Sequence, residues 1–260
     1  MPLLLWIVLL VALAVAGAAQ AWRKGSRARA LAEVARQLGL AFGPVDLFND
    51  GWLPFRLFGL GTRRTVDNVV YGTLDGVEVR AFDYRFEDAD AGSLTLPALF
   101  DVSAGRSFSC GVAGVAATCP SLIVERRGAR QPIDDLVGGD VLPLELEEFN
   151  RRFRVRCEDQ RFAVAFLEQR MMAALLAMPL ETALAVHEDR LLLVARRLPP
   201  NEVAVLLHAT AAIAKAVPRV LPSLYPLRPG LSGTLGPMTP ADAAAGFDRF
   251  LAARRSELGA

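Results

Sequence analysis

Residues 3–22 carry no charged side chain, and Gln20 is their one strongly polar group. Twenty residues of helix span about 30 Å, the depth of a bilayer's hydrocarbon. Ten of the twenty are Leu, Ile or Val, each favouring insertion by roughly 0.3–0.6 kcal/mol. Trp6 and Trp22 bracket the run, about 24 Å apart along a helix, where interfacial tryptophans sit. Arg23, Lys24, Arg27 and Arg29 follow it, and no Lys or Arg precedes it. The pattern predicts a single-pass anchor over residues 1–22, with the large domain on the cytoplasmic side of the cell membrane. The rival reading is an export signal. Residues 3–15 have the length of its apolar core and Ala19-Gln20-Ala21 fits a cleavage site, but its basic leader is missing. Under that reading the domain faces the envelope. Residues 111–124 are too short for a second span and contain Pro120, while 201–220 contain Glu202, His208, Lys215 and Pro218. Both read as core elements of the domain.

From Ser26, Leu31, Val34, Ala35 and Leu38 recur at helical spacing and Gly39 is a stop signal. Residues 23–40 therefore form a basic juxtamembrane helix. Residues 41–62, rich in Gly, Pro and aromatics, read as an irregular packed segment. The period then shortens to two. Residues 66–74 and 77–86 flank Asp75-Gly76, a hairpin turn signal. Along the second strand Val77, Val79 and Ala81 share one face, and Phe82, Tyr84 and Phe86 share the other, which predicts a bulge or burial on both faces. Residues 94–102, 107–116 and 122–126 read as further strands. Residues 147–158 alternate, with Phe149, Phe153, Val155 and Cys157 on one side and arginines on the other, as in a half-buried strand. Asp159 caps a helix expected to run to about Met178. Residues 183–187 and 190–195 form a second hairpin turned at Glu188-Asp189, and a helix from about Pro200 to Val217 follows. Residues 218–240 hold six prolines, so they wrap or dangle, and Thr239 opens a last amphipathic helix. Helix, strands, helix, hairpin, helix spells an α+β fold: an antiparallel, sheet-rich soluble domain over 41–220 with packed helices, preceded by one transmembrane helix and followed by a Pro-rich tail over 221–260.

The chain has 260 residues with 29 basic and 28 acidic side chains, a net charge of +1. That balance leaves no electrostatic footprint for nucleic acid. Cys110, Cys119 and Cys157 are odd in number and lack metal-ligand spacing, which fits a reducing compartment better than a disulfide framework. A disulfide between Cys110 and Cys119 would instead mark the exported reading. His187 and His208 are the only histidines, each more in keeping with a structural or surface role than with a Cys–His nucleophilic pair. Asp88-Ala-Asp90-Ala-Gly92 opens like a calcium loop, but its glycine comes one position early and its twelfth position is Leu99. Gly59-Leu-Gly61 and Val137-Gly138-Gly139-Asp140 lack the lysine and spacing of phosphate cradles. Glu145, Glu147, Glu148 and Asp134-Asp135 read as charged edges and turns. Arg63-Arg64, Arg126-Arg127 and Arg196-Arg197 read as solvated surface, with lipid head groups as the alternative contact. The sequence thus names no catalytic, cofactor-binding or metal-ligating residue and no cofactor.

Phe149-Asn150-Arg151-Arg152-Phe153-Arg154-Val155, Asp159-Gln160-Arg161-Phe162-Ala163, Arg170-Met171-Met172 and Leu175-Leu176 resemble an uncharacterised family of bacterial membrane-anchored proteins, found chiefly in actinobacteria. Asn68-Val69-Val70-Tyr71-Gly72 and Ala81-Phe82-Asp83-Tyr84 resemble that family's central hairpin. The likeness spans roughly residues 28–220, and Gln160 stands where the family's pattern has Pro. It implies a membrane anchor and a domain of unknown function, and brings no site residues. The sequence reading is therefore a membrane-anchored, non-catalytic interaction domain whose partner is a protein or lipid head groups. The alternatives are an enzyme with a dispersed site and an exported, envelope-facing binding domain. Phe153 and Phe162 are expected in its core.

Overall fold

The computed structural model describes residues 6, 22, 25–87, 105–127, 142, 144–179 and 181–236. Among them no helix is long and apolar enough to cross a membrane. The expected anchor lies outside the described residues save Trp6 and Trp22, both helical and exposed. Also outside them are the expected strand at 94–102, the Asp88–Gly92 loop, Asp134-Asp135, Val137–Asp140 and the last amphipathic helix.

Helix α1 (residues 25–37) buries Leu31 and Ala35, one turn apart, and ends at Gly39, whose φ of 67° is the left-handed stop. Six antiparallel strands follow: β1 (Ala41–Val45), β2 (Thr62–Leu74), β3 (Val77–Glu87), β4 (Gly105–Arg126), β5 (Phe153–Cys157) and β6 (Thr182–Arg196). They pair in the order β1-β2-β3-β4-β5, and β6 lies along β4 on the edge opposite β3 and β5. The β2–β3 turn has φ of 53° at Asp75 and 80° at Gly76, the paired positive angles of a tight hairpin turn.

Both faces of the sheet are covered, and adjacent strand residues divide between them. Val70, Val79, Ala81, Leu122, Val124, Leu191 and Leu193 pack beneath the helices. Those are α1, α3 (Gln160–Phe166), α4 (Gln169–Leu176) and α5 (Pro200–Ala216). Val69, Tyr71, Phe82, Tyr84, Phe86, Phe108 and Val112 pack on the other side under Phe55, Leu57 and Phe58. The face switch along β3 is therefore burial on both faces. The β3–β4 register is unbroken, and the irregularities sit in β2, between Thr62 and Thr65 and at Asn68 and Val69. Helix α5 lies close over β4 because Gly111 has no side chain: a Cβ there would fall 2.2 Å from Thr210 Oγ1. Phe153 and Phe162 are buried as expected.

Several local expectations are corrected. Residues 41–45 form the edge strand β1, and the rest of the supposed irregular stretch contains 3-10 turns at Asp50–Trp52 and Arg56–Gly59. Residues 107–116 and 122–126 are one 22-residue strand, β4, bulged between Gly114 and Leu122. Residues 147–158 do not form one strand. Glu147–Arg152 is a short helix, α2, with acids in its first turn and arginines in its last, the arrangement the helix dipole favours. A Glu148–Arg152 ion pair of 3.0 Å and a Phe149–Phe153 stack at 4.7 Å show the i, i+4 spacing behind the apparent alternation. Asp159 accepts from the Arg161 and Phe162 amides as the expected cap, but the helix it opens stops at Phe166 and restarts at Gln169, because Glu168 is extended. Residues 183–195 are not a hairpin. They lie in the single strand β6, which bends at Glu188, φ 49°, opposite the β4 bulge.

Candidate functional site

Strand β3 sets an enclosed charged side chain on each face of the sheet, Asp83 on one and Arg80 on the other. Asp83, on the helical face, takes a two-pronged ion pair from Arg27 Nε and Nη2, both at 2.6 Å. Asn68 Nδ2 at 2.9 Å and Ser109 Oγ at 3.4 Å also donate to it. Arg27 Nη1 donates to the Leu198 carbonyl at 2.8 Å. Burial beside the Arg27 cation holds the neighbouring Arg197 below the usual arginine range, with Asp83 opposing. The carboxylate of Asp83 is saturated with donors, so it clamps α1 to the sheet rather than offering a base.

Arg80, on the opposite face, reaches Asp50 at 3.1 Å and lies 3.7 Å above the Phe48 ring. It also donates to the Leu235 carbonyl. Both members of the pair are buried, and Asp50 Oδ2 and Arg80 Nε have no hydrogen-bond partner. Burial pushes the Asp50 carboxyl up to about 6, with the Arg80 cation pulling the other way. Burial likewise lowers Arg80.

Leu235 belongs to a strap. After α6 (Leu221–Leu224) the chain runs along the β4 bulge. Thr118 donates through its amide to the Tyr225 carbonyl and through Oγ1 to the Pro226 carbonyl, while its Oγ1 accepts from the Arg228 amide. Asp189, paired with Arg190 at 2.6 Å, accepts the Ser232 and Gly233 amides. Glu78 accepts the Leu235 amide. Gly114 lies so close that a Cβ would sit 2.3 Å from the Gly233 carbonyl oxygen. Between strap, bulge and the end of α5 is an open cleft of about 290 Å³, lined by Ala117, Ala214, Val217, Arg219, Pro222 and Gly233 among others. That volume is at the lower limit of small-ligand pockets, about 300 Å³.

The residues singled out in the sequence mostly resolve into structural roles. Cys110 and Cys119 are free and buried, in the two opposite cores. Burial pushes the Cys110 thiol well up and that of Cys119 up to about 12. The half-buried Cys157 thiol is raised too, chiefly by burial, and donates to the Asp159 carbonyl. Thiols held this high are poor nucleophiles at neutral pH. His208 is half-exposed, 3.7 Å from Asp75. His187 Nδ1 lies 2.8 Å from Ser121 Oγ across the β4–β6 pairing. No contact joins a cysteine to either histidine, and no acidic side chain pairs with the other His187 nitrogen, among the described residues. No group of three metal-binding side chains occurs among them either.

Glu145, Glu147 and Glu148 are exposed. Two of the arginine pairs are engaged within the domain: Arg64, Arg126 and Arg127 donate to the carbonyls of Phe58, Met178 and Asn150, and Arg63 pairs with Glu87, while Arg196 and Arg197 are exposed. Residues 218–236 wrap, one of the two courses expected of the Pro-rich stretch, but sequence reading missed the contacts that hold this strap, the Asp50–Arg80 pair and the Ser121–His187 contact. Their members lie 30 to 157 residues apart, beyond the reach of any local pattern.

No family model matches the chain, and no curated protein matches it. Among solved structures, the crystal structure of the mycobacterial trehalose monomycolate transport factor A, TtfA, is similar. The match has a TM-score of 0.51 at 16% identity and covers 75% of this chain and 96% of that one. The likeness is one of fold.

Proposed function

We propose that the protein is a membrane-anchored, non-catalytic accessory factor of lipid transport in a bacterial envelope, related to the actinobacterial family its sequence resembles. The observation that carries this reading is the shared fold, which takes in 96% of the mycobacterial transport factor's chain. Two features of this chain support it. Residues 3–22 have the length and apolar character of a bilayer span. The clamp of Arg27 on Asp83 ties the helix that follows them to the sheet, so the domain is held close to the anchor. The covered sheet faces leave strand edges, surface helices and the cleft as contact surfaces for a protein or lipid partner. In-cell crosslinking followed by purification from membranes tests the reading. The expected result is recovery with an integral membrane lipid transporter, and loss of the factor should deplete a surface glycolipid. Recovery of the protein alone under several growth conditions, with unchanged envelope lipids, would overturn it.

The Ser121–His187 contact favours a second reading, acyl-transfer chemistry at a dispersed site, because a serine hydroxyl beside an imidazole is the start of a nucleophile–base pair. Under it, S121A and H187A would each abolish the in vivo phenotype while leaving the fold intact. Full complementation by both variants removes this reading.

A further inference from the structure

We propose that residues 215–228 form a second, peripheral contact with an anionic lipid bilayer. From Val203 to Gly236 the sequence has no Asp or Glu. Within that stretch Lys215, Arg219 and Arg228 are exposed, and no side-chain hydrogen bond or ion pair engages them among the described residues. Val220, Leu224 and Leu227 are 48%, 56% and 36% exposed. Isolated exposed apolar side chains are ordinary; three within eight residues, flanked at both ends by the unpaired cations Arg219 and Arg228, are not. Val220 and Leu224 are one turn apart, and the Leu224 amide donates to the Val220 carbonyl at 3.2 Å, so their side chains share a face.

The patch is rigid. Leu221 beneath it is fully buried, Tyr225 OH donates to Asp159 at 3.1 Å and stacks edge-on against Phe162, and Thr118 holds residues 226–228. Apolar side chains presented by a fixed turn insert without first ordering the chain. Cations beside them and no acid in the segment itself, whose acidic neighbour Asp159 is taken up by Tyr225 and the first amides of α3, are the complement of phosphate head groups, in the manner of interfacial amphipathic segments. Arg219 also lines the mouth of the cleft beside Pro222 and Val217. A lipid whose phosphate meets Arg219 thus finds an apolar recess next to it. This contact goes beyond the anchor: it fixes which side of the domain faces the bilayer.

The test uses the full chain with C157S and a polarity-sensitive fluorophore on L224C, in vesicles of phosphatidylcholine with or without phosphatidylglycerol. A second sample carries the label on V164C, a position 60% exposed on α3. In phosphatidylglycerol vesicles the label at 224 should be blue-shifted and quenched several-fold more by spin-labelled lipid than the label at 164. The charge reversals R219E and R228E together should remove most of that difference. Four results would overturn the proposal: equal quenching at both positions, no dependence on phosphatidylglycerol, protein that never associates with the vesicles, or a label at 224 that is shielded yet unquenched by lipid. The third fails the anchor reading as well. The fourth identifies a protein occupant, either the residues after 236 or another chain.

Discussion

At the scale of single residues, the Asp50–Arg80 pair couples stability to pH. An aspartate titrates near 3.9 in an unfolded chain, whereas burial holds Asp50 at about 6 in the fold. Between about pH 4 and 6 the folded chain binds more protons than the unfolded one, so stability falls as pH rises, by up to about 1.4 kcal/mol per unit. Chemical denaturation of D50N should show this slope removed, since an amide has nothing to titrate. If wild type and D50N share the same slope across the window, the carboxyl is not raised. D50A asks a different question. It leaves the Arg80 guanidinium buried opposite a hole, and breaking a buried pair from one side costs about 3–5 kcal/mol. The Arg27–Asp83 clamp on the other face is similarly enclosed, at 10% and 12% side-chain exposure, so D83A should cost about 3 kcal/mol. Its distinct signature is faster amide exchange in α1, because that helix loses its main polar tie to the sheet.

At the scale of elements, the strap is held by the close approach of two glycines. G114A drives a methyl group into the Gly233 carbonyl, and relief requires residues 232–235 to lift from β4. The expected cost is about 1–3 kcal/mol, with proteolytic cleavage appearing between Leu227 and Leu235 before the sheet unfolds; an unchanged digestion pattern would show that the strap does not rest on that contact. Six prolines in residues 218–240 announce a segment that wraps or dangles, but no local pattern chooses between the two or names what holds it, and the reason is general to the fold. Helix α1, the Asp75-Gly76 hairpin, the Asp159 cap and α5 were legible because stop, turn, cap and period all lie within a few residues of one another. Strand β6 was misread as a hairpin because Glu188-Asp189 looks like a turn locally. Only its partner β4, bulged opposite, keeps it one strand. Of the strand expected over residues 147–158, Phe153–Cys157 is β5, but 147–152 is helical, because Phe149 and Phe153 satisfy both an i, i+4 helical contact and a period of two. The candidate surface was hidden for a related reason: Val220 closes a stretch that reads as core and Leu224 and Leu227 fall in one that wraps or dangles, and nothing local shows that Leu221 and Tyr225 take the inward positions.

At the scale of the whole molecule, if residues 3–22 span a bilayer as proposed, the distance between Trp22 and Arg27 decides how the domain would meet it. Five residues reach at most about 18 Å even when fully extended, and Arg27 is fixed to Asp83 in the sheet. Under the proposed anchor, with Trp22 at an interface, the sheet would stand at the bilayer surface and not on a long tether. Arg27 is engaged inside the domain, so under the proposed anchor Arg23, Lys24 and Arg29 are the basic residues that would set orientation. Reporters fused after Ala30 and after Ala260 should both report the cytoplasm; agreement on the outside would make the domain envelope-facing and turn the search to exported partners. The close tether also makes a mechanical prediction. A flexible Gly/Ser insert of twenty residues between Lys24 and Gly25 adds a mean span of about 25 Å, leaves every contact of residues 25–236 in place, and should leave the unfolding midpoint unchanged. If the domain works as a rigid platform pressed to the bilayer, the insert should lower both the crosslinking yield to the transporter and the lipid quenching at position 224. If both survive, the anchor only raises local concentration, and recognition lies entirely in the patch and its partner.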